Sequence, residues 1–385
     1  MLAKVGSERS TIGLQTSVST PVRRPARASV KFVDSGLKWA CRLAGCTILL
    51  MLALPVTLLV IKAWPAIERF GLNFLVTTTW RANELEQPIL DAAGKIQIVD
   101  GETLTRTIPP EFGAAPVLYG TAVSTGIALL FAVPFSLAAA LFIVRVAPQL
   151  KVKLPGKRQF SIAEPLSFLI EFLAAIPSLA YGLWGLFVLG PFLANVVEPF
   201  LARTFGAVPI LSGMFYQTVT IAGEEVRRPL SFTGRDMLCG GLVLGIMILP
   251  IITAVSRDVL KSVPRAQIEG SLALGATWWQ SCVEMLRYGR AGLFGAVMLG
   301  LARAAGETMA VAMVIGNNNQ IVLSPIAPAQ TMASLLANEF AEAGPGMHRA
   351  SLMYVAVILL VMSLGFNIVA RYFVVGRGGR TSGAH

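Results

Sequence analysis

The chain has 385 residues, 55% of them apolar and only 14% charged, where an ordinary soluble protein carries about a quarter charged. Its net charge of +11 does not point to nucleic acid, because the Lys and Arg residues lie between and outside the apolar blocks with no aromatic-interleaved basic motif. The cysteines (Cys41, Cys46, Cys239, Cys282) and histidines (His348, His385) have no metal-ligand spacing, so no metal centre is read from them.

In chain order, residues 1–41 form a basic arm rich in Ser, Thr, Arg and Pro, as in Arg23-Arg24-Pro25; it cannot bury an apolar core and is expected to be disordered. Apolar blocks of more than ~18 residues follow, the length that crosses a bilayer core of roughly 30 Å. The first, 42–64, ends without a small-residue cleavage site and reads as an anchor, not a removed signal. Residues 65–115 are too long and polar for a turn. Alternation such as Ile96-Gln97-Ile98-Val99 predicts a small β-rich excursion there. Further spans are expected at about 117–144, 166–190, 237–256, 291–316 and 350–374. Backbone groups in hydrocarbon must be satisfied within each segment, so the spans should be helices. The expected fold is therefore an all-α membrane protein of six transmembrane helices. Its core covers 116–375, with a loop at about 257–290 and a tail at 376–385.

Basic residues set the orientation. The arm through Arg42 has eight Lys/Arg against two acids, 145–165 has five against one, 257–290 five against three, and the tail from Arg371 three against none. Residues 65–115 carry four basic and seven acidic residues, 191–236 is balanced, and 317–348 has two acids and no Lys or Arg. The alternation places both termini in the cytoplasm and 65–115 in the periplasm.

Three constellations carry chemistry. In Pro165 through Gly185, Pro177 removes a backbone donor inside an apolar helical run and should kink or break it, as a gate hinge or as a packed structural kink. Glu171 adds a costly charge one to two turns earlier, a candidate for the substrate pathway. Between the fourth and fifth spans lies Val263-Pro264-Arg265-Ala266-Gln267-Ile268-Glu269-Gly270-Ser271-Leu272-Ala273-Leu274-Gly275. Pro264 suits a first helical turn. Gly275 permits a tight change of direction, so two short helices would make a knob able to dock in a partner's groove. The fifth span contains Gly300-Leu301-Ala302-Arg303-Ala304-Ala305-Gly306-Glu307, in which each mid-span charge costs ~2.5–3.5 kcal/mol on insertion scales. Four residues apart, Arg303 and Glu307 would project from one helix face. They could lock two helices as a structural pair, or line an anion pathway in which the guanidinium fork meets the anion and Glu307 orients it and keeps attraction modest. No G-x-x-x-x-G-K-[ST] motif is present, Gly156-Lys157 being only a fragment, and no nucleophile–base set appears.

Over about residues 112–374 the sequence resembles the phosphate-specific ABC importer permease family, and its C-type (PstC-like) subunit above its A-type partner. The likeness rests on Phe112-Gly113, Leu118-Tyr119-Gly120-Thr121, Ile176-Pro177-Ser178, Tyr181-Gly182-Leu183-Trp184-Gly185, Arg303 through Asn317 and Ala333 through Phe340. It rests also on a loop similar to the EAA element that contacts the ATPase, in which Glu269, Gly270, Ser271 and Gly275 hold the matching positions. The family's later Leu-Pro is absent, since Arg287-Tyr288 follows Leu286. The resemblance implies a type I importer in the bacterial inner membrane: this chain, a second homologous permease, a cytoplasmic ATPase dimer and a periplasmic phosphate-binding protein. Inorganic phosphate is the implied substrate, with Arg303 and Glu307 at positions implicated in transport. Membrane lipid surrounds the chain, nucleic acid has no part, and no cofactor is bound, ATP and Mg being used by the partner ATPase. Sulfate or molybdate permeases share the coupling loop, and an ion-coupled secondary anion transporter would account for the intramembrane charges but not for that loop. The charge alternation gives a direct test. Thr103→Cys should be labelled from outside intact spheroplasts while Lys153→Cys stays protected, and the reverse pattern would overturn the orientation.

Overall fold

The computed structural model describes residues 27–82, 85–88, 98–99, 102–103, 105–153, 159–206, 208, 212–221 and 224–378. The chain divides into two units, residues 1–57 and 58–385. The described part of the first is the N-terminal stretch of α1 (Arg27–Phe70). Its apolar side chains at Leu49, Leu50, Met51 and Leu52 are exposed, as on a helix that meets hydrocarbon all round. The helix starts at Arg27, so residues 27–41 are not the disordered segment that their composition suggests. Past Pro25 no proline interrupts them, and each residue added to an existing helix gains a hydrogen bond. The rest of the arm, 1–26, lies outside the described residues.

Among the described residues five stretches are long and apolar enough to cross a membrane: Asp34–Leu75, Ala115–Val146, Ser178–Phe205, Met237–Lys261 and Met347–Phe373. They comprise α1, α2 (Ala115–Leu141, continued by a π-helical turn to Val146), the run from α4 (Ser178–Trp184) to α6 (Glu198–Phe205), α7 (Met237–Lys261) and most of α12 (Met347–Gly378). The third span is displaced from the expected 166–190. Helix α3 (Ala163–Ala174) stops before Pro177, whose ψ of 137° is extended, and α4 starts directly after it. Two π-helical turns, Gly185–Leu189 and Leu193–Val197, with α5 (Gly190–Phe192) between them, then carry the helix past Pro191 to Phe205. A π turn relieves the ring that an α-helix interior would exclude.

The expected fifth span, 291–316, also differs. Helix α9 runs from Trp278 to Ala305, beginning well inside the presumed loop and ending before Gly306. A capping box starts it, with Thr277 Oγ1 accepting from Gln280 N and Gln280 Oε1 of the side chain accepting from Thr277 N. Glu284, Arg287 and Arg290 made this stretch read as loop, yet a helix leaving a membrane carries such residues on its wet turns. Leu286-Arg287 lies in uninterrupted helix. The knob is accordingly one short helix, α8 (Arg265–Ala273), joined to one long helix, not two short ones.

The core lies between α2, α7 and α9, where Ala128, Ala132, Leu244, Ile248, Ile252 and Ala296 are buried together. Small residues allow the approach: a Cβ added at Gly241 would stand 2.6 Å from Ile127 Cβ, and one at Gly300 2.6 Å from Ile252 Cδ1. The Gly120-Thr121 pair seats a return strand of loop. A Cβ at Gly120 would strike the Gln330 carbonyl oxygen, and Thr121 Oγ1 accepts from Met332 N at 3.0 Å as α11 (Met332–Glu339) begins.

Within 80–112 the described strands form nested antiparallel pairs: β1 (Trp80–Arg81) with β6 (Glu111–Phe112), β2 (Leu85–Pro88) with β5 (Thr105–Ile108), and β3 (Ile98–Val99) with β4 (Glu102–Thr103). Trp80 stands opposite Phe112 in the outer pair. Glu339 Oε2 accepts from Trp80 Nε1 at 2.9 Å and lies 3.0 Å from His348 Nε2, while the His348 ring stacks on Phe112. This cluster ties the excursion to α11 and to the first turn of α12. Two smaller hairpins, β7 (Lys151–Lys153) with β8 (Gln159–Ser161) and β9 (Tyr216–Ile221) with β10 (Glu224–Pro229), fill other connections.

Glu198 and Asp236, from the segment that reads as a balanced loop, are both fully buried. Asp236 caps α7, its Oδ1 accepting from Cys239 N at 2.8 Å, a role its place before an apolar run could have revealed. Its Oδ2 and both Glu198 oxygens are buried with no hydrogen-bond partner among the described residues. Burial holds Asp236 above the usual carboxylate range, so its contribution to stability is present at low pH and is lost as pH rises through the folded value. Asp236→Asn keeps a capping acceptor and removes the charge. Its thermal midpoint in detergent should exceed the parent's at about pH 8 and match it more closely at about pH 5; a lower midpoint at the higher pH would refute the account.

Candidate functional site

The end of α9 is where sequence-identified residues meet. Arg303 lies in the last turn of α9 and is exposed. Gly306 ends the helix, so Glu307 falls outside it, and the expectation of one shared helix face does not hold. The physical reason is the break at Gly306–Thr308 before α10 (Met309–Val314). Glu307 Oε1 accepts from Ala310 N at 3.4 Å, placing its carboxylate over the exposed donors of the α10 first turn. Arg303 and Glu307 nonetheless line one open cavity of about 550 Å³, walled by Ile251 of α7, Leu299 of α9 and Asn367 of α12. Neither joins an ion pair among the described residues. The guanidinium is thus a permanent cation at a cavity, with its fork of donors uncommitted to any carboxylate.

The segment after α10 is held by backbone that few residues tolerate. Gly316 has φ +91°, with the Arg235 carbonyl oxygen 2.5 Å from where a Cβ would stand. Asn317 follows at φ +52°, its Nδ2 donating to the Ala312 carbonyl. Tight packing continues on α4 and the π-helical turn after it, where a Cβ at Gly182 would lie 2.9 Å from Ala310 Cα and one at Gly185 2.6 Å from Val243 Cγ2. These contacts give physical meaning to the Tyr181–Gly185 motif.

Glu171 is placed elsewhere. It lines a second cavity of about 350 Å³ with Ser167, Phe168 and Lys261, and its Oε1 is 3.1 Å from Arg257 Nη1. Arg257 is the residue that sequence reading missed. Its side chain is 10% exposed, against 59% for Glu171, and its Nε also donates to Asp258 Oδ1 at 3.0 Å. The only signal was an arginine near the end of an apolar block, which reads as a flanking charge. Pro177 stands at the break between α3 and α4, and Tyr181 Oη donates across it to the Leu173 carbonyl at 2.9 Å.

Helix α8 projects from the bundle with none of its residues buried. Glu269 and Gly270 are exposed, Ser271 donates to the Ile268 carbonyl at 2.8 Å, and Gly275 turns the chain at φ +87°. Leu274 at the turn is 91% exposed, an apolar side chain offered outward beside that glycine.

Residues 155–376 match the family described as the binding-protein-dependent transport system inner membrane component. The chain is 34% identical over 341 residues to the phosphate transport system permease protein PstC of Mesorhizobium japonicum, covering 88% of this chain and 89% of that protein. It is 35% identical over 344 residues to PstC of Haemophilus influenzae, with 89% and 93% covered. A probable PstC of Methanocaldococcus jannaschii is 30% identical over 313 residues, with 81% and 84% covered.

The Arg257 clasp yields a measurable quantity. A double-mutant cycle of Arg257→Gln and Glu171→Gln on thermal unfolding should give a coupling of about 1 kcal/mol, discounted for the exposure of Glu171. Coupling indistinguishable from zero would mean that the pair does not join α3 to α7.

Proposed function

Because the chain belongs to the inner-membrane components of binding-protein-dependent transport systems, and among them to the phosphate transport permeases, we propose that Arg303 is the anion contact in a phosphate importer pore half formed by this chain. The observation that carries the reading is a permanent cation lining a cavity, in ion pair with no carboxylate among the described residues. A guanidinium offers parallel donors that match two oxygens of a phosphate. Glu307, engaged by the Ala310 amide beside it, keeps the net attraction modest, and transport needs an anion that leaves as readily as it enters.

The chain is a transport subunit and not an enzyme. ATP and Mg are then the business of a separate cytoplasmic ATPase dimer, on which exposed α8 docks through Glu269, Gly270, Ser271 and the Gly275 turn. A second homologous permease completes the pore, and a periplasmic phosphate-binding protein delivers the anion from the side of residues 65–115. Both termini lie in the cytoplasm on this reading, as the basic-residue alternation supports. Pro177, at the break between α3 and α4, serves as the gate hinge. Glu171 is left out of the anion path: its charge is engaged by Arg257, in a cavity other than that of Arg303.

Uptake of radiolabelled phosphate into vesicles holding the complete transporter tests the proposal. Arg303→Gln should lower uptake about a hundredfold with complex yield unchanged, the loss of two charge-assisted hydrogen bonds. Arg303→Lys should keep roughly a tenth of the activity, since a point charge loses the paired geometry. Near-normal uptake by Arg303→Gln, or recovery of transport in the swapped Arg303→Glu/Glu307→Arg chain, would overturn Arg303 as the contact.

A further inference from the structure

A third cavity lies at the α8 end of the bundle. The second span ends at Val146 and α7 at Lys261, and between these ends and α8 the chain leaves a concavity of about 450 Å³. Three cations line it: Arg145 from the end of the α2 span, Lys261 from the last turn of α7, and Arg265 from the first turn of α8. Glu269 of α8 is its one acid, leaving a net charge of three minus one, or +2. No ion pair among the described residues engages any of these four side chains. Aliphatic walls, including Leu260, Ile268 and Met285, close the rest.

Arg145 is the informative member. It is half-buried, and Nη2 makes a long hydrogen bond to Ser281 Oγ at 3.3 Å, while Nε is buried with no partner. A guanidinium has five donors and cannot give up its charge, so partial burial against one neutral hydroxyl leaves it short of an anion. Lys261 and Arg265 converge on the same space from other helices. Three cations around one concavity suit a compact anion with several oxygens better than a single carboxylate. Two apolar spans terminate here, which puts the cavity at headgroup level, where basic side chains meet acidic lipid.

We propose that this cavity binds a phosphate group, presented either on the headgroup of an acidic phospholipid or as free inorganic phosphate. It shares no lining residue with the cavity of Arg303 and does not depend on the pore assignment. Because Arg265 belongs to α8, an occupant joins that helix to the ends of α2 and α7.

The full chain carrying Arg303→Gln, so that the α9 cavity contributes nothing, is examined in two arms. In one, it is extracted from mixed phosphatidylcholine and phosphatidylglycerol vesicles and its retained lipid is counted by native mass spectrometry. In the other, binding of radiolabelled inorganic phosphate is measured in phosphatidylcholine nanodiscs. Retained phosphatidylglycerol identifies a lipid headgroup, and saturable phosphate binding identifies the free anion. In whichever arm responds, Lys261→Gln/Arg265→Gln should weaken binding about tenfold or more, and Arg145→Gln likewise, while Arg371→Gln leaves it unchanged. Lys261 and Arg265 are exposed, so the double variant tests the site even if Arg145→Gln fails to fold. Failure of both probes to bind, or undiminished binding by the double variant, overturns the proposal.

Discussion

Wherever a helix stops inside a membrane bundle, the backbone groups it frees must find partners from the protein, because hydrocarbon offers none. The architecture at each interruption follows from that constraint. At Ala175–Pro177 the Tyr181 hydroxyl reaches back to the Leu173 carbonyl, and at the entry to α7 the Asp236 carboxyl takes the Cys239 amide. Thr121, on a helix far away in sequence, accepts the Met332 amide at the start of α11. Past α10, Asn317 donates to Ala312 from a left-handed backbone that Gly316 introduces. Thr121, Tyr181 and Asn317 lie in the sequence blocks on which the family likeness rests, and Asp236 lies outside them.

Much of the outline was legible for a simple reason. Apolar blocks and the charges between them report directly on where the chain can lie in a bilayer, and Arg303, Glu307 and the Glu269–Gly275 loop are chemically conspicuous. What stayed hidden depends on the third dimension. Arg257 is a flanking charge until Glu171, 86 residues earlier in the sequence, is seen to meet it. Glu198 and Asp236 belong to a polar-looking loop until both prove buried. The start of α9 was obscured because charged residues mark a boundary of the membrane, which need not be the boundary of a helix.

Two arginines near the ends of apolar helices illustrate how surroundings divide one chemistry into two roles. Arg257 has carboxylates at 3.1 and 3.0 Å, so its charge is already compensated and its geometry fixed. Arg303 has none among the described residues, and it faces open space beside a carboxylate that is itself occupied with a helix end. Charge alone does not distinguish them; satisfaction does.

Helix α9 has a mechanical meaning. Its 28 residues, at 1.5 Å each, make a rod about 42 Å long whose lower end carries Trp278, next to the Gly275 turn, and whose upper end carries Arg303. No proline interrupts it, so it has no joint at which motion could be absorbed. A tilt of about 10° around its midpoint would sweep each tip through roughly 3.6 Å, in opposite directions. A lever of that length carries a small displacement beside α8 to the Arg303 guanidinium as one of similar size, with no relay of side chains in between.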